Sequence, residues 1–456
     1  MEDICQYMVP GKRAHLIGIG GVSMSPLAEV LHRAGIDVHG SDIRESDTVK
    51  HLEALGIEVS IGHRAENIDG CHYIIRTAAV HDDNPEVAAA RANGIPVFER
   101  AEAWGAIMKQ YQHAVCISGT HGKTTTTSMM THITMAAALD PTIMVGGNLP
   151  LLGTTYRVGH GNTIVLESCE YCNSFLRFFP TVAVILNVEA DHLDFFKDLA
   201  DVEHSFHQFA ELVPENGSVI VNADDGGAMD SVRGLAHPVT TFSFADHAAD
   251  FYAENVMFEK AHTTFDIYHK GGLYAHVTMP VPGRHNVLNA LAAAAAAEAL
   301  GIPGEAVSQG LSTFTGAGRR FEYKGDYHGA AVYDDYAHHP GELKALLDTV
   351  KDLGYKRIIC AFQPHTYSRT KALFQDFVEV LKGADQALLC EIFAARETDT
   401  LGISSRDLAN AIPGAVYCAS PEEVTEKLRE IAEEGDLLLT VGAGDIYRAG
   451  ERLLQQ

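Results

Sequence analysis

Lys123 follows Gly119-Thr120-His121-Gly122 and precedes Thr124-Thr125. A lysine beside two hydroxyls, reached through a glycine-rich turn, suits the terminal phosphates of a nucleoside triphosphate. Glycines let backbone N–H groups turn toward phosphate oxygens, the lysine brings a mobile charge, and a threonine hydroxyl suits Mg²⁺. The full G-x-x-x-x-G-K-[ST] pattern would need glycine at Ile117, so the loop is a shorter G-x-x-G-K-T. Two further groups could share this chemistry. Glu170 follows one apolar run, and His192 lies in residues 187–194 after another. A carboxylate and a neutral imidazole can hold Mg²⁺ directly or through water. A second cluster, Gly18, Gly20 and Gly21 with Ser23, is followed by Ser41-Asp42. Its spacing suits a pyrophosphate on a turn, with an acid placed for a ribose. A dinucleotide, another diphosphate and a ligand-free turn all fit that spacing.

These groups need rigid elements behind them. Residues 114–117 read as a buried strand before the lysine loop, and a helical pattern opens at Thr126. Strands are expected at 14–17, 36–40, 73–75 and 95–98, which makes the first region a Rossmann-like succession of βα units. Residues 101–113 read as polar and amphipathic, and a boundary is placed there. Buried parallel-type strands follow at 163–167 and 182–187, and residues 219–227 read as a strand and turn. Residues 240–280 alternate as antiparallel strands do, with a Lys270-Gly271-Gly272 hairpin turn. An alanine-rich helix opens at His285-Asn286 and carries Asn289. Two glycines and two arginines at 316–320 read as a hinge into a third region. That region sets Asp334-Asp335, His338-His339, His365 and Arg369 after expected strands. The fold class is therefore α/β with mostly parallel sheets, in three domains at 1–111, 112–316 and 317–456.

Composition removes whole classes of function. A net charge of −26, from 60 acidic against 34 basic residues, argues against a nucleic-acid binder. No run approaches the ~20 apolar residues of a membrane span. The first ten residues lack an apolar leader, and eight scattered cysteines fit a reducing, cytoplasmic setting. Cys169 and Cys172 form the one C-x-x-C pair, too little for a zinc site.

Taken in order, these motifs resemble the Mur ligases, and their alanine-adding branch most. The carrying stretches are 15–21, 119–125, Glu170 with 174–176, 187–194 and 282–289. Further along they are 318–321, 334–340, 362–365 with Arg369-Thr370, and 442–445. The resemblance implies a Rossmann-like N-terminal domain holding a UDP sugar through Gly18, Gly20, Gly21, Ser23, Ser41, Asp42 and Thr77. It implies a central P-loop ATPase domain and a Rossmann-like C-terminal domain that closes on the site. The substrates implied are ATP, UDP-N-acetylmuramate and L-alanine, joined through an acyl phosphate with release of ADP and phosphate. ATP would meet Gly119 to Thr125, Asn289, Arg320 and Asp335. Mg²⁺ would meet Thr124, Glu170 and His192. Lys123, Arg320 and His339 would carry the catalysis, and His339, His365 and Arg369 the amino acid and the intermediate. A monomer or homodimer is expected. Residues 201–211 contain no lysine, unlike family branches that use a carbamylated one, and this agrees with the alanine-adding branch. The rival readings are a ligase adding a murein tripeptide to the same sugar, an NAD-dependent oxidoreductase built on Gly18 and Asp42, and a nucleotide switch without ligase chemistry.

Overall fold

The computed structural model describes residues 3–77, 80–193, 195–259, 262–351, 353–395 and 397–455. Asp194, Ala78 and Ala79 lie outside the described residues. The chain divides into two compact units, Met1–Glu254 with Asp266–His276 and Leu288–Leu311, and Asn255–Phe265 with Val277–Val287 and Ser312–Gln456.

The first unit opens with a five-stranded sheet of β1 (Arg13–Ile17), β2 (Asp37–Asp42), β3 (Glu58–Ile61), β4 (Tyr73–Arg76) and β5 (Val97–Glu99). The order is β3-β2-β1-β4-β5, all parallel. The chain leaves β1 toward one side and returns to β4 on the other. The order therefore reverses at the turn after β1, where an open α/β sheet forms its crevice.

A larger sheet repeats the device. Its strands are β6 (His113–Ser118), β7 (Thr142–Leu149), β8 (Thr154–Arg157), β9 (Thr163–Glu167), β10 (Val182–Ile185), β11 (Ser218–Asn222) and β12 (Val239–Ser243). They run in the order β12-β11-β10-β6-β9-β7-β8, parallel except for β8. Residues 114–117 of β6 are fully buried, as a central parallel strand covered on both faces must be. β6 lies between β9 and β10, so the lysine loop leaves the sheet at its own switch point. Helix Lys123–Ala136 begins at the lysine, three residues before the expected Thr126. Gly122 makes this possible by taking φ +83°, a left-handed conformation natural to glycine.

Three strands follow: β13 (Phe251–Glu259), β14 (His262–His269) and β15 (Gly272–Met279). The 240–280 expectation needs one correction. β12 is parallel to both β11 and β13, so the alternation of 239–243 belongs to the parallel sheet. The Lys270-Gly271 turn stands as expected, both residues having positive φ. Residues 101–113 are also corrected. Helix Arg100–Met108 buries Ala101, Ala103, Trp104, Ala106, Ile107 and Met108. Small residues let it approach the backbone closely: a Cβ at Gly105 would stand 2.1 Å from the Arg177 carbonyl oxygen.

The second unit holds a six-stranded sheet of β16 (Glu322–Tyr327), β17 (Ala330–Asp335), β18 (Ile358–Phe362), β19 (Gln386–Cys390), β20 (Val416–Cys418) and β21 (Leu437–Val441). Its order is β16-β17-β21-β18-β19-β20, with only β16 antiparallel. Helix Pro421–Ile431 buries Val424, Thr425 and Leu428 and exposes its acids. Among the described residues no helix is long and apolar enough to cross a membrane.

Candidate active site

The lysine loop is built from two neighbouring strand ends. Leu186 N donates to Ser118 O, and Thr120 N donates to Asn187 O at 3.0 Å. Asn187 clamps the loop twice more: its Oδ1 accepts from His121 N at 2.7 Å and its Nδ2 donates to His121 O at 3.2 Å. Glu189 N donates to Thr120 Oγ1 at 2.9 Å. The loop is therefore held by the end of β10 before any ligand arrives.

Lys123 folds back over this loop. Its Nζ donates to Gly119 O, to Thr120 O at 3.1 Å and to Glu170 Oε2 at 3.1 Å. Burial works against its charge, but Glu170 outweighs that and lifts the lysine above its ordinary value. Glu170 is 2% exposed, so the two form a buried ion pair. A phosphate oxygen entering here would compete for a cation already desolvated and aimed at the loop. The amide end of helix Lys123–Ala136 adds its positive dipole.

His192 sits on the other side of Glu170, with Nε2 3.8 Å from Glu170 Oε1. Its φ of +53° is uncommon for a residue with a side chain, and its ring packs 4.7 Å from that of Tyr171. Thr124 turns toward a different acid. Its Oγ1 donates to both oxygens of Glu167 at 3.1 and 3.0 Å, and Gly146 N donates to Glu167 Oε2 at 2.7 Å. Asn289 approaches the loop from helix Arg284–Ala299: a Cβ at Gly122 would lie 2.7 Å from its Oδ1. Lys123, Thr124, Glu170, His192 and Asn289 are thus gathered around one loop. Thr125 is partly buried on the first turn of the same helix.

The donor set suits Mg²⁺. Two carboxylates, a hydroxyl and one imidazole are mainly hard oxygen ligands. Sequence reasoning left Glu167 and Asn187 out of the candidates. The available signal was position, since each stands at or just past the C-terminal end of a strand flanking β6.

The first turn is built differently. Gly18 N and Ile19 N donate to Ser41 O at 2.8 and 3.0 Å, and Gly20 N donates to Asp42 Oδ2 at 2.9 Å. Asp42 Oδ1 accepts from Ile43 N, so this acid braces the turn. Arg100 donates to Ser23 Oγ, bringing a cation that sequence reasoning did not select. The Ser41 hydroxyl is fully buried and donates to Glu86 Oε2 at 2.7 Å, while its carbonyl braces the turn. Gly21 N closes the turn on Gly18 O, while Thr77 lies just past the end of β4.

In the second unit the two hinge arginines separate. Arg319 is spent on structure, with Nε on Asp334 Oδ2 at 2.8 Å and Nη groups on the carbonyls of Gly442 and Gly444. Arg320 has a looser ion pair, 3.7 Å from Glu342 Oε1, and lies over the Tyr336 ring. Asp335 accepts from Phe321 N and Ala337 N, each at 2.7 Å. Burial pushes its carboxyl up to about 6, against the pull of Arg320. His339 Nδ1 accepts from Gly341 N, while Glu342 Oε2 accepts from the backbone N–H groups of His338 and His339. Burial pulls His338 down to about 4. Arg369 Nη1 lies 3.3 Å from His365 Nδ1, and the rings of His338 and His365 meet at 5.7 Å.

Three family descriptions match the chain: the Mur ligase family catalytic domain over residues 13–112, the Mur ligase middle domain over 117–297, and the Mur ligase glutamate ligase domain over 319–444. A UDP-N-acetylmuramate–L-alanine ligase of Clostridium novyi (strain NT) is 47% identical over 448 residues, 97% of each chain. A ligase of the same name from Caldanaerobacter subterraneus subsp. tengcongensis is 44% identical over 450 residues, 98% of each. Among solved structures, the UDP-N-acetylmuramate–alanine ligase of Thermotoga maritima matches with a TM-score of 0.79 and 28% identity, over 97% of this chain and 98% of that one. Matches of this length, on a chain whose lysine loop, strand-end acids and glycine turn stand as described, place it in the Mur ligase family.

Proposed function

We propose that this chain joins L-alanine to the carboxylate of UDP-N-acetylmuramate at the expense of ATP, in cytoplasmic peptidoglycan precursor synthesis. The observation that carries the chemistry is Lys123, buried between its loop carbonyls and Glu170 at a helix N-terminus. The near full-length likeness to L-alanine ligases supports alanine as the amino acid.

A carboxylate acylates poorly, so it first attacks the γ-phosphate and displaces ADP, giving an acyl phosphate. Both reactants are anionic, and charge stabilisation dominates such transfers. Lys123 supplies that stabilisation by exchanging its loop carbonyls for phosphate oxygens. The alanine amine then attacks the acyl carbon, and the tetrahedral intermediate collapses with loss of phosphate and a proton. Glu170, His192, Thr124 and Glu167 are the residues that would hold Mg²⁺. Bound there, Mg²⁺ would neutralise phosphate charge. The Gly18–Gly21 turn, braced by Asp42 and flanked by Arg100, is assigned to the uridine diphosphate. Asn289 and Asp335 are assigned to the adenosine, Arg320 to an anionic group of the reaction, and His339, His365 and Arg369 to the amino acid. The domains follow as 1–111 for the UDP sugar, 112–316 for ATP and 317–456 for the remainder.

The test is phosphate release from ATP with Mg²⁺ and UDP-N-acetylmuramate, adding amino acids one at a time. L-alanine should give the highest kcat/KM. Equal turnover with glycine, L-serine or the murein tripeptide would overturn the assignment.

A further inference from the structure

We propose that His15, His39 and Cys71 form a site for a soft divalent cation of the Zn²⁺ class, within the first sheet and separate from the lysine loop. β2, β1 and β4 are adjacent, and His15 and His39 are register partners on the first two. Cys71 stands two residues before β4. His15 is fully buried and His39 nearly so. His15 Nδ1 lies 3.1 Å from His39 Nδ1, and His39 Nε2 lies 3.0 Å from Cys71 Sγ. One ligand atom from each of the three residues lies within 4.8 Å of the other two. Two imidazoles and a thiolate are donors that favour Zn²⁺ over Mg²⁺.

A second observation points the same way. Glu86, fully buried, sets Oε1 3.4 Å from His15 Nε2. Its other contacts hold it there: Ser41 Oγ at 2.7 Å, His63 Nδ1 at 2.9 Å and Asn67 Nδ2 at 2.5 Å. A carboxylate facing one ring nitrogen favours the tautomer protonated there, which frees the lone pair of the other. His15 Nδ1 is then the ligand atom, facing His39. A carboxylate behind a ligating histidine is a common support of metal sites. In that tautomer, without metal, His39 Nδ1 donates to His15 Nδ1, and the Cys71 thiol donates to His39 Nε2. Cation entry breaks that S–H bond, releases one proton to solvent and forms the metal–sulfur bond. The 2+ cation, the thiolate and Glu86 then sum to zero charge, which suits a buried site.

The test uses the full chain, reduced, with Mg²⁺ present throughout, and Co²⁺ as the probe. About one equivalent should bind with a thiolate-to-cobalt charge-transfer band that Zn²⁺ abolishes. The band should vanish in Cys71→Ser and persist in the Cys169→Ser/Cys172→Ser double variant. Glu86→Gln, a change to a positioning residue, should weaken Co²⁺ binding about 10–100-fold. No Co²⁺ binding, a band that survives in Cys71→Ser, or one lost with Cys169 and Cys172 would overturn the site. Should Cys71→Ser fail to fold, alkylation of the wild-type chain decides. Zn²⁺ should shield Cys71 from iodoacetamide in peptide mass spectra, and equal labelling with and without Zn²⁺ counts against the site.

Discussion

The two glycine turns of the first unit share one place in their sheets and differ in how they carry charge. Each follows the strand at which its sheet order reverses, and each leads into a helix. The Gly18–Gly21 turn is tied to the next strand through Ser41 O and Asp42, and its cation arrives from another helix as Arg100. The Gly119–Lys123 turn is tied to the end of β10 through Asn187, and its own last residue is the cation. Binding a diphosphate needs N–H groups and a nearby positive charge. Transferring a phosphoryl group needs a cation that follows the charge as it develops. What the turns share is their place in the sheet; the cation and its source differ.

Removing that cation should have the largest effect. Lys123→Met is expected to lower phosphate release by about 10³-fold, in the range for loss of a charge-stabilising group. It also strands Glu170 in a buried site, at a cost of roughly 3 kcal/mol. The double change Lys123→Met/Glu170→Gln should recover thermal stability and leave turnover lost. If the double variant regains activity, Lys123 is an ion-pair partner only, and the contrast between the turns fails.

Glycine substitutions come next. A Cβ at Gly122 meets a positive φ and Asn289 Oδ1 at 2.7 Å, whereas one at Gly20 meets Asp42 Oδ2 at 2.9 Å and Val49 Cγ2 at 3.0 Å. Gly122→Ala should raise the KM for ATP by about 10–100-fold, the equivalent of 1–3 kcal/mol of strain. Gly20→Ala should raise the KM for the UDP sugar instead, by about tenfold, since its φ is ordinary and the contact is with side chains. Steady-state kinetics with each substrate varied in turn separates them. A crossed result, with Gly20→Ala acting on ATP, would exchange the roles of the turns.

Much of this contrast was legible in the sequence because it is local. The lysine loop, its strand and its helix span residues 113–136, and the periodicity changes from buried strand to helix within them. Parallel sheets were legible from short apolar runs ending in polar loops. What was not legible depends on strands meeting across the sheet. Glu167 reaches Thr124 only because β9 lies beside β6, and 43 residues separate the pair. The Ser41 hydroxyl goes to Glu86, 45 residues on, because the two meet in the folded sheet. Helix Arg100–Met108 was misread because Glu102, Lys109, Gln110 and Gln112 weigh heavily in the 101–113 window. It is buried nearly all round, by three alanines, Trp104, Ile107 and Met108, so burial leaves little periodic signal.

The smallest effect should come from Asp42→Asn, which also sharpens the contrast most finely. Each carboxylate oxygen of Asp42 serves a different backbone donor, Gly20 N on Oδ2 and Ile43 N on Oδ1. An amide offers one accepting oxygen, so one donor must give up its partner while the side chain keeps its size. A net hydrogen bond of this kind contributes about 1 kcal/mol, which corresponds to roughly a fivefold change in binding. The KM for the UDP sugar should rise by about that factor, with kcat and the KM for ATP unchanged. A rise nearer 100-fold would mean that Asp42 also accepts directly from the ribose, a second bond that the substitution removes together with the charge. An unchanged sugar KM would mean that the first turn holds its shape without the acid. Asp42 would then be only the end of β2, and the diphosphate would depend on Arg100 and the loop amides alone.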